Sequence, residues 1–269
     1  MFAMIRPLLI AASLALASCA MAPSATPVPA NVRNELAPSG TLIAGINYGN
    51  PVIVQKDPAG GPPQGVGPDL ARELARRLGV PITYVTYDTA GKLADAAKQK
   101  AWDVGFLAID PERASDIAFT APYVQIEGTY LVRKDSKLKS IGDVDRKGVK
   151  VAVGNKTAYD LFLTRNIKEA ELVRSPTSLT AIDDFLGGKV DTVAGVKQPL
   201  VGVAAKNPAY RVMDGNFMVI RQAAGVPRGR EAAAKYFNDF IEEMKANGFV
   251  ARALEKSGNG DVTVPPPGR

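Results

Sequence analysis

The stretch DLARELARRLGVPITYVTYDTAGKLADAAKQKAWDVGFL, residues 69–107, decides the fold class. Asp69–Leu78 is predicted to be a helix, because leucines recur at every fourth position and a glycine follows the last one. Ile82–Tyr87 and Val104–Leu107 are short, apolar, β-branched runs that predict strands, and Lys92–Lys100 between them has a helical pattern. Strands that alternate with helices predict a parallel sheet covered by helices, an α/β fold.

The same alternation continues on both sides of this stretch. A strand is predicted upstream at Thr41–Ile46, and two amphipathic helices are predicted near the end of the chain at Glu231–Ala246 and Phe249–Lys256. Downstream, a second series of strands and helices is predicted at Val149–Val153, Thr157–Thr164, Leu172–Val173, Leu179–Leu186, Thr192–Ala194 and Gln198–Lys206, before a strand at Phe217–Arg221. Two similar α/β units in one chain of 269 residues indicate two lobes.

The composition excludes several classes of function. The chain has no histidine, so it cannot hold a Ser-His-Asp triad, a Cys-His pair or a metal site with histidine ligands. Lys and Arg exceed Asp and Glu by 33 − 27 = +6, but the two signs are interspersed along the sequence. This pattern favours a solvated basic surface over a nucleic-acid partner.

The first residues are typical of a lipoprotein signal peptide, predicted over 1–18. One basic residue, Arg6, precedes the apolar run Leu8–Ala17, which is too short to span a membrane. The run Leu-Ala-Ser-Cys that ends at Cys19 resembles the bacterial lipobox, in which the cysteine carries a diacylglycerol, and Cys19 is the chain's single cysteine. The alternative is an ordinary signal peptide with a chance cysteine. Ala20 is not acidic, which favours the outer membrane of a Gram-negative bacterium.

Both ends of the mature chain are predicted to lack fixed structure. Residues 19–37 are rich in Ala, Pro, Ser and Thr and are interpreted as a flexible tether. Residues 258–269 contain three consecutive prolines and are expected to form a disordered tail.

An ordered set of short motifs gives a resemblance that extends from Gly40 to Lys256. The most diagnostic is Pro-Glu-Arg at 111–113 followed by Ile-Ala-Phe-Thr-Ala-Pro-Tyr at 117–123. The others are Gly40–Gly45, Gly65–Ala71, Lys100–Val104 and Gly187–Asp191. Together they resemble the family 3 bacterial extracellular solute-binding proteins, the amino-acid-binding receptors of ABC importers.

The resemblance implies a type II periplasmic-binding-protein fold, in which a ligand lies in a cleft between two lobes. On that pattern, lobe 1 covers about 38–124 plus 222–257 and lobe 2 about 128–217. Two crossing hinge segments would lie near Val124–Glu127 and Met218–Arg221. Lobes joined in this way close around a ligand by hinge motion.

Arg113 is the first candidate for ligand binding. A guanidinium matches a carboxylate with two parallel hydrogen bonds, and the family's arginine at this position grips the ligand's carboxylate. The helix start Thr157-Ala158-Tyr159 is the second, since free N–H groups at a helix N-terminus suit the same carboxylate. The alternatives are a surface arginine in a polar turn and a plain N-cap.

Four further candidates fall at the strand ends that line the cleft in relatives: Asn47, Tyr48, Phe106 and Ala108. For Phe106, core packing is an equally good explanation. Ala108 departs from the family, which has Ser or Thr there, and leaves only a backbone N–H.

A second departure concerns the ligand's amino group. Many family members have an aspartate five residues beyond Asp191, and it pairs with the α-ammonium; here Val196 stands there. An ordinary free amino acid is therefore a less favoured ligand. The neighbouring Lys197 would add a second positive charge to the site, unless it is an exposed helix start.

These observations predict a lipid-anchored, monomeric periplasmic receptor that hands a small carboxylate-bearing solute, an amino acid or related organic acid, to an ABC importer. We expect no enzymatic activity, cofactor or metal. One alternative is an enzyme on the same scaffold, such as the cyclohexadienyl dehydratases, although no cleft carboxylate is found at the expected second-lobe position to act as general acid. The other is a ligand sensor or accessory protein of a membrane complex.

Overall fold

The computed structural model describes residues 27–268. The strands are β1 (Leu42–Asn47), β2 (Ile82–Tyr87), β3 (Val104–Ala108), β4 (Ile117–Arg133), β5 (Lys150–Gly154), β6 (Glu171–Ser175), β7 (Thr192–Val196), β8 (Tyr210–Val212) and β9 (Met218–Pro227). The α-helices are α1 (Ala30–Leu36), α2 (Val66–Leu78), α3 (Ala90–Ala96), α4 (Ala158–Asn166), α5 (Ser178–Leu186), α6 (Lys197–Lys206), α7 (Glu231–Ala246) and α8 (Phe249–Lys256).

The strands form one path in the order β2-β1-β3-β9-β4-β7-β5-β6, and β8 pairs with β4 beside it. β1 is parallel to β2 and β3, and β5 is parallel to β6 and β7. Between these parallel groups, β4 and β9 run antiparallel to each other. We call the part built on β1–β3 lobe 1 and the part built on β5–β7 lobe 2. The predicted α/β fold with two lobes is confirmed.

β4 and β9 connect the lobes. Both predicted crossing segments, Val124–Glu127 and Met218–Arg221, lie within these strands and pair with one another, for example Ile126 with Ile220. The 17 residues of β4 begin beside lobe 1 and end beside β7 of lobe 2. The connection is therefore a two-stranded ribbon. The residue limits predicted for the lobes stay a prediction.

The lobe 1 core forms where α2, α7 and α8 cover the sheet. Leu70, Leu74 and Leu78 of α2 are buried, as their four-residue spacing predicts. Burial of each such side chain stabilises the fold by roughly 1.5–3 kcal/mol relative to exposure. Gly65 precedes α2 with φ of 106°, and a Cβ there would lie 2.6 Å from the Ile53 carbonyl oxygen, so this entry into the helix requires glycine.

The predicted flexible tether is wrong for Ala30–Leu36, which is helix α1. Proline disrupts a helix when it lies in the helix interior, but Pro29 is the N-cap of α1 and precedes its first turn. Val32 and Leu36, four residues apart, are buried in the core that α7 also forms. Glu35 Oε2 accepts a hydrogen bond of 2.8 Å from the Ala233 backbone N–H at the start of α7.

The predicted disordered tail is also wrong for the residues described after α8. Val262 is buried in the core, and the Gln125 backbone N–H of β4 donates to the Thr263 carbonyl at 2.8 Å. The tail is ordered because it buries an apolar side chain and satisfies a backbone group on a crossing strand.

The predicted signal peptide, residues 1–18, and Cys19 lie outside the described residues. Within 27–268, no helix combines the length and apolarity that a bilayer crossing needs.

Candidate functional site

A cleft lies between the lobes, where strands of both end. Lobe 1 contributes Asn47, Gly49, Asn50, Thr89, Ala90, Leu107, Ala108 and Arg113, which we call the lobe-1 wall. Lobe 2 contributes Thr157, Ala158, Tyr159, Ser178 and Val196, the lobe-2 wall, and β9 adds Ile220 and Gln222. The cleft has a volume of about 40 Å³. A cavity needs about 10–15 Å³ of such volume to hold one water molecule, so the cleft has room for only a few waters. A solute of amino-acid size therefore enters only if the lobes separate.

Arg113 supplies a buried positive charge to the lobe-1 wall. It lies in a short 3₁₀ turn after β3 and is 4% exposed. Nη1 donates to the Ala108 carbonyl at 3.0 Å and Nη2 to the Lys156 carbonyl at 2.9 Å. Among the described residues, no carboxylate forms an ion pair with this guanidinium, and its remaining N–H groups have no acceptor. A buried cation in this state favours an anion beside it.

Burial lowers the pKa of Arg113 to about 10, against the opposing effect of the more distant carboxylates of Asp110, Glu112 and Asp95. The guanidinium therefore remains protonated at neutral pH and keeps its charge in the closed cleft.

The start of α4 supplies hydrogen-bond donors to the lobe-2 wall. Thr157 is the N-cap: its Oγ1 accepts from the Asp160 backbone N–H at 3.2 Å and donates to the Gly154 carbonyl at 2.8 Å. Within the described part of the chain, the N–H groups of Ala158 and Tyr159 have no acceptor. These free donors, together with the positive end of the helix dipole, suit an anion.

Contacts between the lobes hold the cleft closed. Besides the bond from Arg113 to the Lys156 carbonyl, Lys156 Nζ lies 2.9 Å from Asp95 Oδ2. Arg165 Nη2 of α4 lies 2.7 Å from Asp110 Oδ2 of lobe 1, and the Asp110 side chain is nearly buried. Opening the cleft requires that these polar contacts be replaced by water.

The structure brings seven of the predicted site residues together in the cleft: Asn47, Ala108, Arg113, Thr157, Ala158, Tyr159 and Val196. Sequence reasoning missed the other members of both walls and of β9. Thr89 and Asn50 follow strands β2 and β1 closely, so strand ends were a usable signal for them. Ser178 opens α5 behind a capping threonine, which was a second usable signal. Gln222 lies inside a crossing strand, where no local pattern marks it.

Three predicted site residues do not line the cleft. Phe106 is 1% exposed and packs edge-on against Tyr123 and Phe237, so core packing explains it. Tyr48 is half-buried, and Lys56 Nζ lies 5.1 Å from its ring centroid. Lys197 Nζ lies 2.5 Å from Glu127 Oε2, so its charge is already paired.

With this geometry in place, comparison with known proteins identifies the family. Residues 42–259 match the bacterial extracellular solute-binding proteins, family 3. The chain belongs to this family. Among family 3 relatives, an L-cystine-binding protein of Escherichia coli strain K12 is 28% identical over 236 residues, with 86% of this chain and 87% of that protein covered.

Solved structures of similar proteins have the same fold. A mutant of ArgBP from T. maritima is 26% identical, with a TM-score of 0.73 and coverage of 84% of this chain and 99% of that chain. An ancestral amino acid-binding protein described as a precursor of cyclohexadienyl dehydratase is 27% identical, with a TM-score of 0.71 and coverage of 83% and 98%. Family 3 members of Gram-negative bacteria are periplasmic.

The cleft itself has a limited chemical repertoire. No acidic side chain is among the residues that line it, and residues 27–268 contain no cluster of three or more potential metal ligands. What the cleft offers is a cation, free backbone donors and neutral polar side chains. By their charge and donor chemistry, these groups suit an anion.

Proposed function

We propose that this protein is the periplasmic substrate-binding component of an ABC importer, and that it binds as a monomer a small carboxylate-bearing solute, an amino acid or related organic acid. The observation that carries the proposal is Arg113, a buried guanidinium in the cleft with no carboxylate partner among the described residues. The free N–H groups of Ala158 and Tyr159 provide a complementary set of donors from lobe 2. One carboxylate held by both would join the lobes.

This mode of binding links ligand capture to closure. In the open state a carboxylate reaches Arg113 on lobe 1. As lobe 2 approaches, the second oxygen of the carboxylate accepts hydrogen bonds from the free backbone N–H groups at the start of α4. A ligand that contacts both lobes favours the closed state by its differential affinity for that state. The importer would then distinguish loaded from empty receptor by lobe position.

A thermal-shift screen over amino acids and organic acids tests the proposal. A ligand at 100 times its Kd stabilises the folded protein by about 2.7 kcal/mol, which raises Tm by several degrees in a chain of this size. We expect carboxylates to raise Tm, their amides or esters to have no effect, and the Arg113→Ala variant to lose the response. If no carboxylate shifts Tm while other solutes do, the proposal is wrong.

Transport is tested separately, with a radiolabelled compound that the screen identifies. A strain that lacks this gene should lose uptake, and the wild-type gene should restore it while the Arg113→Ala gene does not. Unchanged uptake in the deletion strain would favour the sensor or accessory role.

We also propose that Cys19 carries a lipid anchor and that the mature protein is held in the outer membrane. The support is the sequence Leu16–Cys19 and the position of the single cysteine after an apolar run. Removal of residues 1–18 leaves a charge of 6 − 1 = +5. The Cys19→Ser variant should be released into the soluble periplasmic fraction. An intact mass of the native protein without a lipid increment would contradict the anchor.

An enzyme on the same scaffold is the second candidate. A cyclohexadienyl dehydratase of Pseudomonas aeruginosa strain PAO1 is 24% identical over 127 residues, which cover 46% of this chain and 47% of that protein. Dehydration with decarboxylation needs a positioned general acid, and the residues that line the cleft include no carboxylic acid. Incubation with prephenate should give no loss of water and carbon dioxide. Turnover above background would establish the enzyme.

A further inference from the structure

Gln222 lines the cleft, and its side-chain amide has no hydrogen-bond partner among the described residues. It is 5% exposed and forms no side-chain hydrogen bond with any residue of 27–268. On β9, Ile220 and Gln222 both line the cleft, while Arg221 between them does not. Since alternate residues of a strand share a face, the side chain of Gln222 lies on the cleft face. The donors and the acceptor of its side-chain amide therefore face the cleft without a partner among the described residues, where a ligand group can pair with them.

Gln222 also lies beside the anion site. Its register partner in β3 is Ala108, and the carbonyl of Ala108 is the one that accepts from Arg113 Nη1 at 3.0 Å. Residues directly opposite in an antiparallel pair have Cα atoms about 4.5–5.5 Å apart. A group attached to the carbon next to a carboxylate held by Arg113 is therefore within reach of Gln222.

The other polar side chains of the cleft already have partners. Asn47 Oδ1 accepts from the Gly49 backbone N–H at 2.9 Å, and Tyr159 OH donates to Ser178 Oγ at 2.8 Å. The hydroxyl of Thr157 both accepts and donates within the cap of α4. Asn50 Oδ1 and Thr89 Oγ1 likewise accept hydrogen bonds from the backbone N–H groups of Val52 and Lys92. Of the polar side chains that line the cleft, Arg113 apart, Gln222 alone forms no hydrogen bond among the described residues, so its donors and its acceptor are both free.

Acidic side chains around the cleft are likewise engaged in ion pairs. Asp110 pairs with Arg165 at 2.7 Å, Asp95 pairs with Lys156 at 2.9 Å, and Asp160 pairs with Arg174 at 3.0 Å. At the end of β7, where a carboxylate would face an ammonium group, the cleft is lined by Val196. An ammonium group enclosed here would exchange water for neutral partners at a considerable cost in desolvation.

We propose that Gln222 determines specificity by binding the substituent next to the ligand's carboxylate, and that this substituent is neutral. The ligand class is then a 2-hydroxy acid or a close neutral analogue, a net anion, in preference to a zwitterionic amino acid. This assignment rests on the proposed function, because Arg113 must hold the carboxylate for Gln222 to reach its neighbour.

Calorimetric titration with three series of three acids tests the assignment; within each series the acids differ only in that substituent. The series are propionate, lactate and alanine; succinate, malate and aspartate; and hydrocinnamate, phenyllactate and phenylalanine. The variants are Gln222→Leu and, as a matched control, Gln125→Leu. Gln125 is a half-buried glutamine of the paired crossing strand β4, and it does not line the cleft.

In the series that binds tightest, we expect the wild type to bind the hydroxy acid about tenfold tighter than both the unsubstituted acid and the amino acid. In Gln222→Leu the hydroxy acid and the unsubstituted acid should bind within about twofold of each other, whereas Gln125→Leu should keep the wild-type ratio. Thermal melts establish that both variants are folded. In ¹⁵N-labelled protein, the Gln222 side-chain amide signals, assigned by their loss in Gln222→Leu, should shift with the hydroxy acid and not with the unsubstituted acid.

Two results overturn the assignment alone: a tenfold preference of the wild type for the amino acid, or a hydroxyl effect that survives in Gln222→Leu. If no member of any series binds the wild type, the assignment of Gln222 is wrong, and the thermal-shift screen over amino acids and organic acids decides separately whether the proposed function fails as well. The two failures are thus distinguishable.

Discussion

The two walls of the cleft provide for an anion by different means. The lobe-1 wall has a side-chain cation, Arg113, which is buried and has no carboxylate partner among the described residues. The lobe-2 wall offers backbone N–H groups at the start of α4, and the cation predicted beside it, Lys197, is paired with Glu127. The charge of Arg113 is therefore available to a ligand, while the charge of Lys197 is already paired with a carboxylate of the protein. Affinity should depend on Arg113 more than on any side chain of lobe 2.

The largest effect is expected from Arg113→Ala. Removal of one partner of a buried, hydrogen-bonded charge pair costs about 2–5 kcal/mol, roughly 30-fold to several-thousand-fold in affinity. Arg113→Lys should recover part of the loss, because an ammonium group keeps the charge but cannot form the bidentate contact. Calorimetric titration with a carboxylate that binds the wild type measures both variants.

The comparison between the walls fails if Arg113→Ala binds that carboxylate within about threefold of the wild type. Circular dichroism melts serve as the control, since Arg113 also holds the carbonyls of Ala108 and Lys156.

Thr157→Ala tests the lobe-2 wall and should affect stability more than recognition. Loss of an N-cap side chain costs typically about 1 kcal/mol, which corresponds to a decrease in Tm of about 2–4 °C for a chain of this size. Thr157→Ser keeps the hydroxyl and should restore most of the Tm. Differential scanning calorimetry gives the shift, and a loss of affinity as large as that of Arg113→Ala would show that the two walls are equivalent.

The ion pair Asp110–Arg165 tests how the walls are held together. Arg165→Ala should weaken ligand binding by a few-fold, because the closed state loses about 1 kcal/mol or less from a pair whose arginine is 44% exposed. Small-angle scattering of the ligand-free variant should show a larger radius of gyration than the wild type. Lys189→Ala, which removes the ion pair with Asp184 inside lobe 2, is the control and should leave the radius unchanged.

Much of the fold was predictable, because it depends on local periodicity. The strand Ile82–Tyr87 has the same limits in the sequence prediction and in the structure, and the predicted helix at Thr157–Thr164 is Ala158–Asn166 with Thr157 as its cap. The helix α1 was missed because a proline-rich flank concealed two apolar residues four apart, and their value as core residues depends on α7, some 200 residues away along the chain.

The candidate site was predictable in part, for a related reason. Arg113 and the α4 start lie in local motifs. The free state of Gln222 and the paired state of Lys197 depend instead on contacts that β4 and β9 create across the molecule. A strand residue's neighbours on adjacent strands are not encoded in its own segment, so spacing alone could not distinguish a cation that faces the ligand from one that faces a carboxylate.

The smallest predicted effect concerns the ion pair between Lys197 and Glu127. The hydrogen bond from Lys197 is the main reason that the pKa of Glu127 is lowered, and Asn216 Nδ2 also donates to this carboxylate at 3.0 Å. A lowered carboxyl pKa contributes stability that is present above the unfolded value of about 4.3 and is lost as pH falls through the folded value. Both side chains are about two-fifths exposed, at 41% and 39%, so the contribution should be about half a kcal/mol or less.

Melting curves of the wild type and Glu127→Gln should therefore differ by one or two degrees at about pH 7 and converge near about pH 3, where the wild-type carboxyl is protonated as well. A difference that does not change with pH would assign the effect to packing.

Lys197→Met tests whether the cation of lobe 2 contributes to ligand binding. This variant should lower Tm at neutral pH by a similar amount, yet change the affinity for a carboxylate by less than about twofold. If Lys197→Met instead weakens carboxylate binding as strongly as Arg113→Ala, the cation of lobe 2 serves the ligand, and the division between the two walls is wrong.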